Sequence, residues 1–182
     1  MKKFLASLCV VVMLAFVVHA AELESGLQPG EKVGAYNVKD ITGPNAGKSL
    51  CYRCKFGSRP VVNVFAREVN EDLANLVVAV DKLVSDNEDK KMAAFVTVLS
   101  EDADKVAPQL EAIAKKHNIK NVPLTIFDGE SGPNDYKIAK AAGTTVMMWN
   151  QGEVKASVAV EKGKLNANAI KTVVENTGKI LN

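Results

Sequence analysis

Two cysteines three positions apart, Cys51 and Cys54, are the residues of this chain best suited to chemistry. A Cys-x-x-Cys pair lets two sulfurs close a small ring, which suits reversible thiol-disulfide exchange. The neighbouring cations Arg53, Lys55 and Arg59 favour the thiolate, the reactive form of cysteine, by Coulomb attraction. The spacing and its surroundings therefore predict a redox site at this pair.

The N-terminus has the pattern of a secretory signal peptide. Lys2 and Lys3 precede an apolar run that extends to about Val18, and a short sequence ending in Ala20 follows it. The run is shorter than the roughly 20 apolar residues that a membrane span needs. We predict cleavage after Ala20, with Ala21 as the alternative, and a secreted or periplasmic protein without a stable membrane anchor.

Charge and length limit what the mature chain does. Removing residues 1–20 takes away Cys9, two lysines and no acidic residue, which leaves 21 basic against 21 acidic residues. Nucleic-acid binding needs a basic excess gathered on one face, so we predict no nucleic-acid partner. The remaining residues fit one domain with its own core, predicted at 33–182. Residues 21–32 contain Pro29-Gly30 and are predicted to form a surface arm.

Two other interpretations of the cysteine pair stay open. In an oxidising compartment Cys-x-x-Cys also occurs as a permanent structural disulfide. A ring of this size contributes only about 2 kcal/mol, which is a weak cross-link for a domain with its own core. A zinc site needs four ligands, and beyond residue 20 the chain has only these two cysteines and His117. We predict no metal and no cofactor, and we explain His117 by its place near a helix C-terminus.

The elements that must position the cysteines alternate between strand and helix. Residues 60–66 and 92–99 are continuous apolar runs typical of strands buried on both faces. Apolar residues at helical spacing follow each run, and this alternation predicts a parallel sheet. Ser100 is the predicted cap of the second helix, and Pro108 is predicted to kink or restart it.

Shorter strands and a final hairpin complete the predicted sheet. Residues 34–40 alternate apolar and polar side chains as an edge strand does, and residues 121–127 form a short strand. Segments 144–149 and 153–160 flank a turn and predict a β-hairpin. A helix capped by Asn166 closes the chain.

This order of elements resembles the thioredoxin fold, and more closely its peroxiredoxin-like branch, over residues 33–181. Residues 145–181 resemble the C-terminal half of thioredoxins, and the strand at Pro123-Leu124 with its loop is similar to an extra segment of peroxiredoxins. The resemblance implies an α/β thioredoxin-like sandwich with a central mixed sheet and helices on both faces. It also implies that Cys51 attacks, that Cys54 resolves the mixed disulfide, and that the partners are protein thiols or disulfides.

The sequence departs from that family in two places. Thioredoxins carry Cys-x-x-Cys after the first central strand, whereas here the pair precedes strand 60–66. Arg67 and Glu68 stand at the family's cysteine position, and we interpret them as the solvated end of the strand. The cis-proline of thioredoxins would fall near Thr144, where this sequence has no proline. The alternative to a thiol-disulfide oxidoreductase is therefore a non-catalytic binding protein with a structural disulfide.

Overall fold

The computed structural model describes residues 23–181, so the predicted signal peptide and its cleavage site lie outside the described residues. Over that range the elements are, in chain order, β1 (Val38–Asp40), β2 (Ser49–Leu50), α1 (Tyr52–Phe56), β3 (Val61–Ala66), α2 (Glu71–Asp86), β4 (Ala93–Ser100), α3 (Ala103–His117), β5 (Leu124–Asp128), a 3-10 turn (Asn134–Tyr136), β6 (Ala142–Asn150), β7 (Glu153–Glu161), α4 (Ala167–Asn176) and α5 (Gly178–Leu181). None of the helices in this range is long and apolar enough to cross a membrane.

The strands form one mixed sheet in the order β2-β1-β5-β4-β3-β6-β7. β3 is central, with β4 parallel on one side and β6 antiparallel on the other, as the sequence predicted. Val61 lies opposite both Ala93 and Trp149. The amino ends of β3 and β4 therefore share one edge of the sheet with the carboxyl end of β6, and we call this the amino-end edge.

The central strands are apolar throughout because both faces of the sheet are covered. Every residue of β3 is buried, and alternate side chains enter two separate cores. Val62 and Val64 face the core formed with α2, α3, α4 and α5. Val61 and Phe65 face the second core, which α1, the 3-10 turn and the N-terminal segment cover. Helices thus lie on both faces, and the four helices α2 to α5 share one of them.

The N-terminal segment is more deeply packed than the predicted surface arm. Leu27 is buried in the second core, and its backbone N–H donates to the Met147 sulfur at 3.2 Å. Ser25 is also buried and hydrogen-bonds Thr145 at 2.7 Å between hydroxyl oxygens. Glu24, the turn at Pro29-Gly30 and Lys32 are the exposed residues of this segment within the described part of the chain. The sequence did not predict this burial because residues 21–32 are mostly polar, and one of the buried residues, Ser25, is itself polar.

The strand predicted at residues 34–40 is shorter than expected and does not form the edge. β1 covers only Val38–Asp40 and pairs with β2 on one side and β5 on the other. The two residues of β2 are the outermost strand, and such a short strand leaves no alternating pattern in the sequence. The prediction of an edge strand was therefore wrong in position, although β1 is the neighbour of the edge strand β2.

Helix boundaries also differ in detail from the predictions. Asp102, not Ser100, caps α3, because its carboxylate accepts the Lys105 backbone N–H at 3.1 Å. Ser100 ends β4, and its hydroxyl accepts the Asp102 N–H at 3.0 Å. Pro108 does not restart α3, since Leu110 and the residues before the proline pack against the same core.

The closing helix begins as predicted and is divided near its end. The Asn166 side chain accepts the N–H groups of Asn168 and Ala169, at 3.0 and 3.1 Å. α4 then ends before Thr177, whose hydroxyl donates to the Val174 carbonyl at 2.6 Å. A side chain that competes for a backbone carbonyl in this way favours a break in the helix.

Candidate functional site

The two cysteines lie on α1, a single-turn helix that the sequence analysis did not predict. Cys51 is the N-cap of α1, and its sulfur accepts the Cys54 backbone N–H at 3.0 Å. The two sulfurs are joined in a disulfide, with 5.2 Å between the Cα atoms. Cys54 is exposed, whereas Cys51 is partly buried. The pair is therefore at the surface, with Cys54 as its more accessible member.

Tyr52, between the cysteines, anchors α1 to the body of the protein. Its side chain is buried, its ring stacks on Phe95 with 5.4 Å between centroids, and its hydroxyl donates to the Asp40 carboxylate at 2.7 Å. Asp40 is itself buried and also accepts the N–H groups of Gly43 and Asn45, at 2.8 and 2.9 Å. Burial, and then the hydrogen bond to Asp40, raise the pKa of Tyr52 well above its usual value. These contacts bind α1 to the body of the protein in addition to the disulfide.

The cations around the pair are placed by different partners. Arg53 donates to the Val33 carbonyl at 3.2 Å, and Arg59 donates to the carbonyls of Lys91 and Met92 at 2.6 and 3.1 Å. Lys55 is exposed, and its ammonium lies 5.6 Å from the centroid of the neighbouring tyrosine ring. The two arginines therefore brace α1 against adjoining segments, and the lysine is the cation next to the exposed cysteine.

The site occupies the amino-end edge of the sheet, on the side that the sequence predicted. The loop between α1 and β3 meets the hairpin turn there, because the Gln151 N–H donates to the Ser58 carbonyl at 3.1 Å. β3 begins three residues after Ser58. Open α/β sheets usually place their functional crevice at the carboxyl ends of the parallel strands. The cysteines of this protein lie at the opposite edge.

At the carboxyl ends, Arg67 serves the structure of a loop. Its guanidinium donates to the carbonyls of Glu130, Ala139 and Ala142, the last two at 3.3 and 2.9 Å. The interpretation of Arg67 as a merely solvated strand end was wrong, since the side chain is half-buried and fully engaged with backbone. Thr144, at the position of the family's proline, is buried in β6 opposite the end of β3.

His117 lies apart from the cysteines at the end of α3, as predicted. Its Nε2 is 3.0 Å from one carboxylate oxygen of Glu71, and the Lys116 ammonium is 2.8 Å from the other. The hydrogen bond from Lys116 is the main cause of the lowered pKa of Glu71. Within residues 23–181, no three His, Cys, Asp or Glu side chains are grouped so that they could hold a metal ion.

A cleft of about 730 Å³ opens beside α1. Lys55 and Phe56 of α1 form one wall, and residues 119–123, before β5, form the opposite wall. The buried side chains of Met92 and Val122 contribute to its floor. The sequence analysis did not find this cleft, because its walls come from segments that are far apart in the chain.

No protein-family model matches the sequence, and no curated protein is similar to it in sequence. The structure, however, is similar to solved structures over most of the chain. One is a putative protein disulfide isomerase from Bacteroides thetaiotaomicron, with a TM-score of 0.64, 14% identity, and coverage of 86% of this chain and 92% of that chain. Another is a putative thiol:disulfide interchange protein, DsbE, from Chlorobium tepidum, with a TM-score of 0.66, 10% identity, and coverage of 86% and 99%.

A third similar structure is the peroxidoxin BcpB from Mycobacterium tuberculosis, with a TM-score of 0.59, 12% identity, and coverage of 84% of this chain and 97% of that chain. The chain has a thioredoxin-like fold. The predicted fold class, including its peroxiredoxin-like character, is confirmed. Within this thioredoxin-like fold, the Cys51–Cys54 pair is displaced to the amino-end edge of the sheet.

Proposed function

We propose that this protein is a thiol-disulfide oxidoreductase that exchanges its Cys51–Cys54 disulfide with thiols or disulfides of partner proteins. The observation that carries the proposal is an exposed Cys54, disulfide-bonded to Cys51, on a helix that the core already anchors through Tyr52. The similar folds of a putative disulfide isomerase and a putative thiol:disulfide interchange protein add support.

The exchange has two steps. A partner thiolate attacks the Cys54 sulfur, forms a mixed disulfide with it, and releases Cys51 as a thiolate. The partner's second thiol, once deprotonated, attacks the partner's first sulfur in the mixed disulfide. This releases Cys54 as a thiolate and leaves the partner with a disulfide. Two electrons move from the partner to this protein, and the two released thiolates take up the two partner protons. The reverse sequence oxidises this protein and reduces the partner.

The geometry around Cys51 suits its part as the leaving group. The Cys54 N–H points at the Cys51 sulfur from 3.0 Å, and a hydrogen bond to a thiolate favours the charged form. The greater exposure of Cys54 favours it as the sulfur that forms the mixed disulfide. This order is the reverse of the one that the thioredoxin resemblance implies, where Cys51 attacks.

Both oxidation states are compatible with the same fold. Tyr52 and Phe56 pack α1 against Phe95 of the core, with ring centroids at 5.4 and 6.0 Å. A ring of about four residues adds only about 2 kcal/mol of cross-link stabilisation. Opening the disulfide therefore leaves α1 anchored, as a reversible redox site requires.

The proposal includes the compartment and the domain division. Residues 1–20 act as a cleaved signal peptide, and residues 33–182 form the thioredoxin-like domain, preceded by the segment 21–32. The protein then works outside the cytosol, where protein disulfides persist and need exchange.

The test is the reduction potential of the pair. We expect a value above about −300 mV, because structural disulfides of secreted proteins usually lie below that level. Equilibration with glutathione buffers, alkylation and mass spectrometry measure it. Replacing Cys51 and Cys54 together by serine should abolish exchange and lower the free energy of unfolding by no more than about 2 kcal/mol.

Two outcomes would contradict the proposal. A pair that stays oxidised in every buffer, or a double-serine variant that does not fold, would support the alternative of a binding protein with a structural disulfide. Serine replacement of both cysteines is a matched change, since it removes the sulfurs and retains small polar side chains at both positions.

A further inference from the structure

The cleft beside α1 carries an excess of positive charge. Four cations, Lys55, Arg59, Lys91 and Lys120, line it together with a single carboxylate, that of Glu88. None of these five side chains lies in an ion pair with another described residue. Because the mature chain is predicted to have balanced charge overall, this local excess marks the cleft as attractive to carboxylates.

Two further carboxylates, Asp81 and Asp40, lie near the cleft, and their partners are neutral N–H and O–H groups that occupy their oxygens without offsetting their charge. Asp81 accepts the N–H groups of Lys120, Asn121 and Val122 at 2.6 to 3.1 Å, which fixes one wall of the cleft. Asp40 is buried next to Tyr52 and Gly43, which line the cleft. It accepts the Tyr52 hydroxyl and the backbone N–H groups of Gly43 and Asn45. Neither carboxylate forms an ion pair with a cation of the cleft, so these cations stay available to an anion, and the positive excess around the cleft is smaller than the lining residues alone suggest.

Beneath the cations the cleft is apolar. Phe56 and Ile119, both partly exposed, and the exposed Pro44 supply its apolar surface. The Arg59 guanidinium lies 5.3 Å from the centroid of the Phe56 ring, and its hydrogen bonds to the Lys91 and Met92 carbonyls hold it there. An inorganic anion would leave these apolar side chains in contact with water. A ligand that fits the whole cleft needs an apolar side chain as well as carboxylates.

The cleft begins next to the cysteines. Lys55 follows Cys54 directly, and the Lys55 N–H donates to the Cys51 carbonyl at 3.0 Å. Tyr52 and Phe56, one turn apart on α1, both line the cleft. Neither cysteine lines the cleft, but only the width of α1, about 10 Å for a helix, separates the two, so a partner segment that extends beyond the cleft reaches the disulfide.

We infer that this cleft binds an extended segment of a partner polypeptide, with an apolar residue flanked by acidic residues, next to the cysteine that undergoes exchange. The apolar residue packs against Phe56 and Ile119, and the carboxylates meet Lys91 and Lys120. The inference rests on the proposed function and specifies its substrate class. A basic segment would be repelled by the same cations.

The experiment measures binding separately from exchange, using peptides that contain no cysteine. Three fluorescent nonapeptides are compared by anisotropy with the full chain: an apolar centre flanked by glutamates, the same peptide with lysines for glutamates, and the acidic peptide with serine at its centre. We expect the first to bind about tenfold or more tightly than the other two. Lys91→Glu with Lys120→Glu should weaken the acidic peptide by about tenfold and strengthen the basic one.

The matched control is Lys105→Glu with Lys164→Glu, which changes the net charge equally at exposed sites outside the cleft. Equal affinity for all three peptides, or an equal loss in the control, would overturn the inference. So would displacement of the acidic peptide by glutathione at a concentration comparable to the peptide's own dissociation constant, which would indicate a small-thiol site. Since these peptides cannot exchange, binding with no redox activity would refute the proposed function alone, and redox activity without binding would refute this inference alone.

Discussion

At the scale of single residues, the two cysteines differ in environment although they share one disulfide. Cys51 caps α1 and receives a backbone N–H, whereas Cys54 is exposed and receives none at its sulfur in this structure. Hydrogen bonding to sulfur favours the thiolate, and exposure favours contact with a partner. The structure therefore supports separate roles for the two sulfurs.

These roles predict different trapping by single variants. Cys51→Ser should accumulate a mixed disulfide between Cys54 and an oxidised peptide, because the exposed cysteine reacts and nothing resolves the product. Cys54→Ser should accumulate less, since Cys51 is partly buried. Acid quenching, alkylation and non-reducing mass spectrometry measure both. More trapping in Cys54→Ser would restore the order that the thioredoxin resemblance implies.

Tyr52 is the residue that connects the cysteine pair to the core. Tyr52→Phe removes only the hydroxyl and its 2.7 Å hydrogen bond to buried Asp40. We expect the free energy of unfolding of the oxidised protein to fall by about 1.5 to 3 kcal/mol, the usual contribution of a hydrogen bond to a charged group. Urea unfolding measures it. A double-mutant cycle with Asp40→Ala, which removes the acceptor, isolates the pair, and an absence of coupling would contradict this account.

At the scale of elements, the short helix α1 is held in place by three kinds of tertiary contact. Tyr52 enters the second core, Arg53 bonds the N-terminal segment, and the chain just beyond α1 bonds the hairpin turn. An isolated turn of helix is unstable in water, so its persistence depends on these tertiary contacts. The position of the cysteines is accordingly fixed from outside α1.

The loop before β6 depends in a similar way on one side chain. Arg67→Lys replaces a planar fork that reaches three carbonyls with a single ammonium. We expect faster hydrogen exchange across residues 130–142 and a loss of about 1 to 3 kcal/mol in the free energy of unfolding. The reduction potential of the cysteine pair should not change, because it lies at the opposite edge of the sheet.

Glu68→Gln is the control for that variant, as it changes an exposed neighbour for which the structure shows no hydrogen bond or ion pair. A change in the cysteine potential on Arg67→Lys, with none on Glu68→Gln, would mean that the two edges of the sheet are coupled. It would then contradict a purely structural role for Arg67.

At the scale of the whole molecule, the proposed chemistry depends on export. The Lys2-Lys3 start and the apolar run after it predict that the mature protein begins at Ala21 and that its cysteine pair becomes oxidised outside the cytosol. Intact-mass analysis of exported protein, with and without reduction and alkylation, measures both features. A full-length mass in the cytosolic fraction would contradict the secreted assignment.

The local pattern of the sequence determined most of the fold. β3 and β4 are buried on both faces and therefore read as unbroken apolar runs, and the hairpin carries a Gln151-Gly152 turn with both residues at positive φ. The displacement of Cys51 and Cys54 to the start of β3 is also a matter of chain order alone. These features depend on neighbouring residues, which is why the sequence predicted them.

The order of strands across the sheet decided the rest. β5 lies between β1 and β4, which brings the loop after β1 and residues 119–123 to the same edge as α1 and creates the cleft. The bond between Tyr52 and Asp40 and the burial of Leu27 arise in the same way. Each joins segments that are apart in the chain, so it becomes visible only when the sheet is assembled. The sequence alone thus identified the residues to which we assign the proposed chemistry, because their types and spacing are local, and the tertiary structure decided what surrounds them.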